Sequence, residues 1–458
     1  MKQFSAKEFL KFQGIKLSGN SSASFKGLSY DSRNIRENNL FVALKGEKND
    51  GNAFIERAFE NGASVVLSSR NTNPPENKTL IFSEYPDKTI QDFASYQREK
   101  YRGLVIGVVG STGKTTTKDF CAQFLSLYDL TYASEGNKNN LLGVPEAILN
   151  ADYQAKYWVL EMGISLPSEM DSLAQIVKPN CVVFTNIKPV HTEFLKSPDN
   201  IFNEKSKVLK YLSPPSFFIY NRDDEYLCRL PEMFNFENYS FGFTKESDLK
   251  MTVLEEMGIE GFKVKFDFRK QSAILNLPFL NVANLYNFSA SYLLSLIFYG
   301  DIGVGKQVLQ KLTLSSHRGK IYKLKNGVTL YDDSYNSNPE AVKTLLSSCK
   351  SFKGKIVAIL GEMRELGDES ERYHREVGEL SSQILTSLLC IGGQGAKTLY
   401  EEFRKTGKKC GYFKNWEEGK PFSDSLLEEG SLLIVKGSRA ISLDRLVDEI
   451  INQIGVIE

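Results

Sequence analysis

In the stretch LVIGVVGSTGKTTTK, Leu104 to Lys118, an apolar run breaks at Gly110 into a glycine-rich turn that carries Lys114 and Thr115. The pattern predicts a buried strand feeding a phosphate-binding loop and then a helix. Gly110 and Gly113 admit backbone conformations that a side chain forbids. The N–H groups of Gly110, Ser111, Thr112 and Gly113 can therefore turn toward one anion, while Lys114 adds a mobile positive charge. Thr115 offers a hydroxyl to Mg²⁺, Thr116 follows it, and the helix behind directs its positive end at the phosphates. Val108 stands where the first glycine of GxxxxGK[ST] would be, which leaves the shorter GxxGKTT form.

Two other readings compete. The glycines could simply turn the chain between a strand and a helix. Alternatively, Gly107, Gly110 and Gly113 recur every third residue, as in a dinucleotide-binding loop. That fingerprint has no place for Lys114 and requires an acidic residue about twenty positions on. Glu135 falls near that distance, but within the turn-like segment EGNKNN.

The chain of 458 residues has room for about three domains. Its formal net charge is +1, with acids and bases interspersed, so it lacks the positive field that nucleic-acid binding generally needs. Small anionic ligands are the expected partners. The six cysteines form no CxxC pairs, and several sit in apolar runs, which predicts buried reduced thiols rather than a metal cluster or disulfide framework. The segment MKQFSAKEFLKFQG lacks the continuous apolar core of a secretory signal. The longest apolar run, Tyr292 to Tyr299, is too short to span a bilayer, so the expectation is a cytoplasmic protein without membrane insertion.

Outward from the loop, the chain reads as α/β in three domains. Residues 1–98 form a small α/β unit with strands near 40–44, 64–69 and 79–83 and a helix near Ala53–Asn61. Residues 99–312 form a central P-loop-type ATPase domain on a parallel or mixed sheet, with strands WVLE, CVVFTN and FFIYN and a closing helix over Val282–Phe298. The segment GDIGVGKQVLQKLTLSSHRG reads as a connector. Residues 313–458 form a Rossmann-like domain whose strands VTLYDD, KIVAILG, SLLCIGG and SLLIVKGS each end in Gly, Asp or Ser. In α/β sheets those carboxyl ends are where ligands bind.

Three groups outside the loop carry potential chemistry. Glu161, at the end of strand WVLE, is either a Mg²⁺ ligand beside Thr115 or a solvated strand-end acid. His191, one of three histidines, sits in a strand-end loop and can donate a metal ligand or a hydrogen bond. Lys205 by itself reads as a solvated helix charge.

Taken together, GSTGKTTTK (110–118), GNKNNLLGVP (136–145), VLEMG (159–163), TNIKPVHTEF (185–194) and Lys205, fourteen residues after His191, resemble the ATP-binding core of the Mur ligase family. YDSRNI (30–35), LFVALKGEKNDGNAFI (40–55), YDDSYNSNP (331–339), LGEMRELG (360–367) and VKGSR (435–439) extend the resemblance over essentially the whole chain. They point to the branch that joins D-alanyl-D-alanine to UDP-N-acetylmuramoyl-tripeptide in peptidoglycan synthesis.

The resemblance implies ATP and two Mg²⁺ ions. Lys114 and the loop amides would hold the β- and γ-phosphates, Thr115 and Glu161 the bridging Mg²⁺, and His191 a second ion. Lys205 would match the family's carbamylated lysine, in which CO₂ converts an ammonium into an anionic metal ligand. Asn284 would lie near adenine, although the glycine and histidine expected before it are Phe279 and Leu280. Arg318 would reach the γ-phosphate from the third domain, with Asp333 facing the nucleotide beside it. Asp31, Ser32 and Arg33, with Lys45, Gly46 and Glu47, would hold the UDP end of the substrate, and Asn52 replaces a commoner histidine. Asn139, Asn140, Asn336 and Asn338 would contact substrate, the last two near the incoming dipeptide around Ser337. Lys436, Ser438 and Arg439 end another strand, with contacts left open. The enzyme is expected to act as a monomer. Alternatives are another ligase of the superfamily, such as folylpolyglutamate synthase, a simple phosphotransferase, or a non-catalytic ATP-binding regulatory protein.

Overall fold

A computed structural model describes residues 2–46, 49–189 and 192–457. His191 and Glu47 therefore lie outside the described residues. The N-terminal part contains β1 (Gln3–Ser5), β2 (Lys16–Gly19), β3 (Ser24–Lys26), β4 (Leu28–Ser29), β5 (Leu40–Ala43), β6 (Val65–Ser68) and β7 (Thr79–Phe82). β1 and β3 pair with each other, and the remaining five form a sheet ordered β2-β7-β6-β5-β4. β5 and β6 are buried at every position, so they read as continuous apolar runs, as parallel interior strands do.

The helix Pro86–Lys100 ties this part to the next. The ring of Phe93 stacks on that of Phe9 at 3.9 Å between centroids, and Arg98 Nε donates to the Val177 carbonyl at 2.7 Å. Asn150 makes a reciprocal pair with the Leu28 backbone, accepting at 3.0 Å and donating at 3.1 Å, so the amide docks the β4 edge on the neighbouring helix Gly143–Asn150.

The central sheet has nine strands: β8 (Leu104–Val109), β9 (Thr131–Ala133), β10 (Tyr157–Glu161), β11 (Cys181–Phe184), β12 (Phe217–Asn221), β13 (Glu237–Gly242), β14 (Leu249–Glu256), β15 (Phe262–Phe268) and β16 (Gln271–Leu277), in the order β16-β15-β14-β13-β12-β11-β8-β10-β9. β9 to β14 with β8 are parallel, and β14-β15-β16 turns antiparallel, which makes the sheet mixed. The helix Ala283–Tyr299 packs on the helix Lys114–Leu125 through Phe288 and Tyr292 against Phe124. The segment read as a connector contains a further helix, Val304–Leu309, because Val304 and Val308 bury one face against the same core.

The third sheet is ordered β17-β18-β22-β19-β20-β21, from β17 (Lys320–Lys323), β18 (Thr329–Asp332), β19 (Ile356–Gly361), β20 (Ser387–Ile391), β21 (Lys409–Phe413) and β22 (Leu432–Lys436). Only β17 is antiparallel. Among the described residues no helix is long and apolar enough to cross a membrane.

Candidate active site

The carboxyl ends of adjacent strands in two sheets line one cavity of about 1000 Å³. The central sheet contributes the ends of β8, β10, β11 and β12, and the third sheet those of β18, β22 and β19. Each parallel strand delivers its last polar residue there because crossover helices return the chain to the opposite edge.

The phosphate loop follows β8. Gly113 has φ +77°, and a Cβ there would lie 2.3 Å from Asn287 Oδ1; a Cβ on Gly110 would lie 1.9 Å from Thr185 Oγ1. Both positions demand glycine. The loop is held from β11: Ser111 N donates to Asn186 O at 2.9 Å, Thr112 N to Asn186 Oδ1 at 3.1 Å, and Thr185 Oγ1 to Thr112 O at 2.6 Å. The helix from Lys114 has no side-chain cap, so its first-turn amides stay available to an anion. Lys114 Nζ bridges the carbonyls of Gly110 and Ser111 at 3.1 and 3.2 Å. Burial pushes its pKa below the ordinary lysine value; the charge of Glu161 opposes that shift and the charge of Arg318 adds to it. These features fit a polyphosphate.

Glu161 is 2% exposed. Its Oε2 accepts from Thr115 Oγ1 at 2.6 Å and its Oε1 from Asn139 Nδ2 at 2.7 Å, so the carboxylate belongs to the site and is no solvated strand end. Asn139 thus orients Glu161, while Asn140 accepts from Gly143 N at 2.8 Å and starts a helix. Among the described residues no cluster of three or more His, Cys, Asp or Glu forms. One carboxylate and one hydroxyl beside a phosphate loop suit Mg²⁺, which is usually shared between a few protein oxygens and substrate phosphates.

Lys205 is buried, not solvated, on the helix Pro198–Ser206. It does not line the cavity. Burial first, and the Lys114 charge second, push its pKa well below the ordinary lysine value, against the charges of Glu204 and Glu161.

Asn284 and Asn287 lie on one face of the helix Ala283–Tyr299, and Asn287 Nδ2 donates to Asn284 Oδ1 at 3.0 Å. Asn287 also accepts from Thr117 Oγ1 at 3.2 Å. No sequence signal marked Asn287, and Asn186 was visible only as a strand-end residue. Phe279 stacks on Phe120 at 5.6 Å and Leu280 enters the third domain's core, so the two departures from the family pattern serve packing.

From the third domain, the Arg318 guanidinium lies over the Tyr335 ring, 3.9 Å from its centroid. Asp333 lines the cavity but is committed to Lys436, whose Nζ lies 2.6 Å from Asp333 Oδ2 and 2.9 Å from Asn336 O. Asn338 Oδ1 caps the helix Pro339–Ser348 by accepting from Ala341 N at 2.9 Å. Ser438 Oγ accepts from Arg364 N at 3.1 Å, joining the ends of β22 and β19, and Arg439 is paired with Asp444.

The remaining candidates do not enter this cavity: Asp31, Ser32, Arg33, Lys45 and Gly46 all lie outside its lining. Asp31 pairs with Arg33 at 2.7 Å, and Lys45 forms a backbone bridge with Asp50. Asn52 Nδ2 donates to Asp50 Oδ1 at 2.8 Å, so the amide keeps a structural bond in its loop.

Three α/β domains, with a phosphate loop facing a third-domain edge that carries Arg318, define an ATP-dependent ligase of the Mur type. Three successive family models match the chain: "Mur ligase family, catalytic domain" over residues 24–98, "Mur ligase middle domain" over 108–295 and "Mur ligase, glutamate ligase domain" over 317–439. The chain belongs to the Mur ligase family. Relatives that match it over nearly its whole length are named UDP-N-acetylmuramoyl-tripeptide–D-alanyl-D-alanine ligase. The protein of that name from Rickettsia prowazekii is 29% identical over 95% of this chain and 97% of its own, and that from Bacillus subtilis 28% identical over 93% of each. Among solved structures, the MurF ligase from Thermotoga maritima in complex with ADP is 26% identical, with a TM-score of 0.78 over 92% of this chain and 96% of that one. MurF from Acinetobacter baumannii, at 24% identity, shares the fold with a TM-score of 0.86 over 99% of both chains.

Proposed function

We propose that the protein catalyses the MurF reaction, ATP-dependent joining of D-alanyl-D-alanine to the terminal carboxylate of UDP-N-acetylmuramoyl-tripeptide, which supplies the pentapeptide precursor of peptidoglycan in the cytoplasm. The observation that carries this reading is the meeting of the phosphate loop with Arg318 and the DSYNSNP loop in one cavity, in a chain that matches MurF proteins from end to end.

In this reading residues 1–98 hold the UDP end through Asp31, Ser32, Arg33, Lys45 and Gly46, residues 99–312 bind ATP, and residues 313–458 present the dipeptide. The tripeptide carboxylate attacks the γ-phosphorus, ADP leaves, and an acyl phosphate forms. The dipeptide amine then attacks that carbonyl carbon, phosphate departs, and the amine loses a proton. The reaction needs no side-chain nucleophile, but two anions must be brought together. Alignment of this kind is worth about 7–11 kcal/mol of barrier. Lys114 and the first-turn amides bind the β- and γ-phosphates, and Arg318 approaches from the opposite wall. Thr115 and Glu161 would hold Mg²⁺, which neutralises phosphate charge, and Asn139 fixes the carboxylate that faces it. Burial, which pushes the Lys205 pKa well below the ordinary lysine value, favours the free amine that captures CO₂, and as a carbamate it would join His191 at a second ion. Asn284, steadied by its hydrogen bond from Asn287, would serve the adenine side.

The test is phosphate release from ATP and Mg²⁺ with UDP-muramoyl-tripeptide alone, D-Ala-D-Ala alone, and both. Turnover only with both, with the new amide seen by mass spectrometry, is the expected result. Stimulation by neither would overturn the proposal.

A further inference from the structure

Ser337 lies two residues before the helix Pro339–Ser348, in the loop that leaves β18, and it lines the cavity. The residue is 5% exposed, and its Oγ is buried without a hydrogen-bond partner. Six side-chain atoms among the described residues share that condition, and only Ser337 among them belongs to a residue lining this cavity. The side chains of its two neighbours in the loop are already committed. Asn336 Oδ1 accepts from Ser337 N at 2.9 Å, Asn336 O accepts from Lys436, and Asn338 Oδ1 caps the following helix. A fixed loop thus retains one unspent hydroxyl, at a cost that a ligand's acceptor would remove.

The wall that carries Ser337 also carries Arg364, Arg439 and Lys436, which are ion-paired with Glu362, Asp444 and Asp333. A zwitterionic dipeptide must turn its amine toward the acyl phosphate beside Lys114, which leaves its carboxylate for the wall that carries Ser337. We infer that the Ser337 hydroxyl donates a hydrogen bond to the terminal carboxylate of the acceptor dipeptide and is a specificity residue of the site. The inference rests on the ligase reading above.

Ser337→Ala removes one oxygen from a position where nothing in the protein bonds to it, so the fold should tolerate it. Steady-state kinetics of the wild type and S337A with D-Ala-D-Ala and with D-alanyl-D-alaninamide test the idea, alongside thermal melting. The expected result is a KM for D-Ala-D-Ala raised about tenfold in S337A, the gain typical of one charge-assisted hydrogen bond. KM for ATP and for the UDP-tripeptide should not change, the amide substrate, whose carbonyl accepts only a neutral hydrogen bond, should lose clearly less than the carboxylate does, and the melting midpoint should not fall. An unchanged dipeptide KM, an equal loss with the amide, or a lowered midpoint would overturn the inference while leaving the ligase reading in place. A wild type that consumes no ATP with the dipeptide would instead overturn that reading.

Discussion

Lys114 lines the cavity, whereas Lys205 is buried outside its lining. Lys114 spans the carbonyls of its own loop, so its charge is already aimed where phosphate oxygens would sit. Replacing it by alanine should lower kcat/KM by at least about a hundredfold, as loss of one preorganised charged donor generally does. Steady-state kinetics with ATP would expose an error in the loop's assignment if the loss were smaller than threefold. Lys205 is buried, and burial pushes its pKa well below the ordinary lysine value. If Lys205 carries the proposed carbamate, Lys205→Ala should be inactive and recover part of its rate with added short-chain carboxylic acids, which can replace that group. Full activity of the unaided variant would remove the carbamate from the mechanism.

The helix Ser370–Ile384 holds the strand-end segment after β19 through one buried imidazole. His374 Nε2 accepts from Met363 N at 3.0 Å, and its Nδ1 lies 2.7 Å from the Ser370 carbonyl, which can only accept. The ring is therefore neutral with its proton on Nδ1. Burial pushes its pKa below the ordinary 6.5, against the Ser370 carbonyl and the Glu362 charge. As pH falls beneath 6.5 the unfolded chain takes up the proton first, so this contribution to stability is complete above that value and declines below it. The decline is at most about 1.4 kcal/mol per pH unit for one group. Melting curves of wild type and His374→Gln should converge as pH drops through that window. Parallel curves would show that His374 does not titrate with unfolding.

The whole molecule places its cations on separate bodies. The N-terminal part is joined to the central one by a shared apolar core and by the Asn150–Leu28 pair, whereas the catalytic cavity lies between the central and third domains. Arg318 reaches that cavity from the third domain. Arg318→Ala should therefore lower kcat about a hundredfold while ADP affinity, measured by calorimetry, stays within a few-fold. Equal losses in both would assign Arg318 to nucleotide binding and not to phosphoryl transfer.

The phosphate loop, the strand that feeds it, Glu161 and the carboxyl-end residues of the third sheet were legible because each is a local pattern. An apolar run, a glycine that admits a forbidden φ, and a polar residue at a strand's end all fall within a dozen positions. The antiparallel extension from Leu249 to Leu277 escaped notice, since β14 and β16 alternate weakly and expose their outer positions. The helix Val304–Leu309 was also missed, because one turn and a half leaves little periodicity to detect. The burial of Lys205, the docking of Asn139 on Glu161 and the pairing of Asp333 with Lys436 could not be read locally. Nor could the contact of Asn287 with Thr117, whose residues stand 170 positions apart. Local residue chemistry set which groups could bind phosphate and metal. Long-range packing chose the hydrogen bond each group makes and how much water it keeps, because burial and partner choice are properties of neighbours that chain order does not reveal.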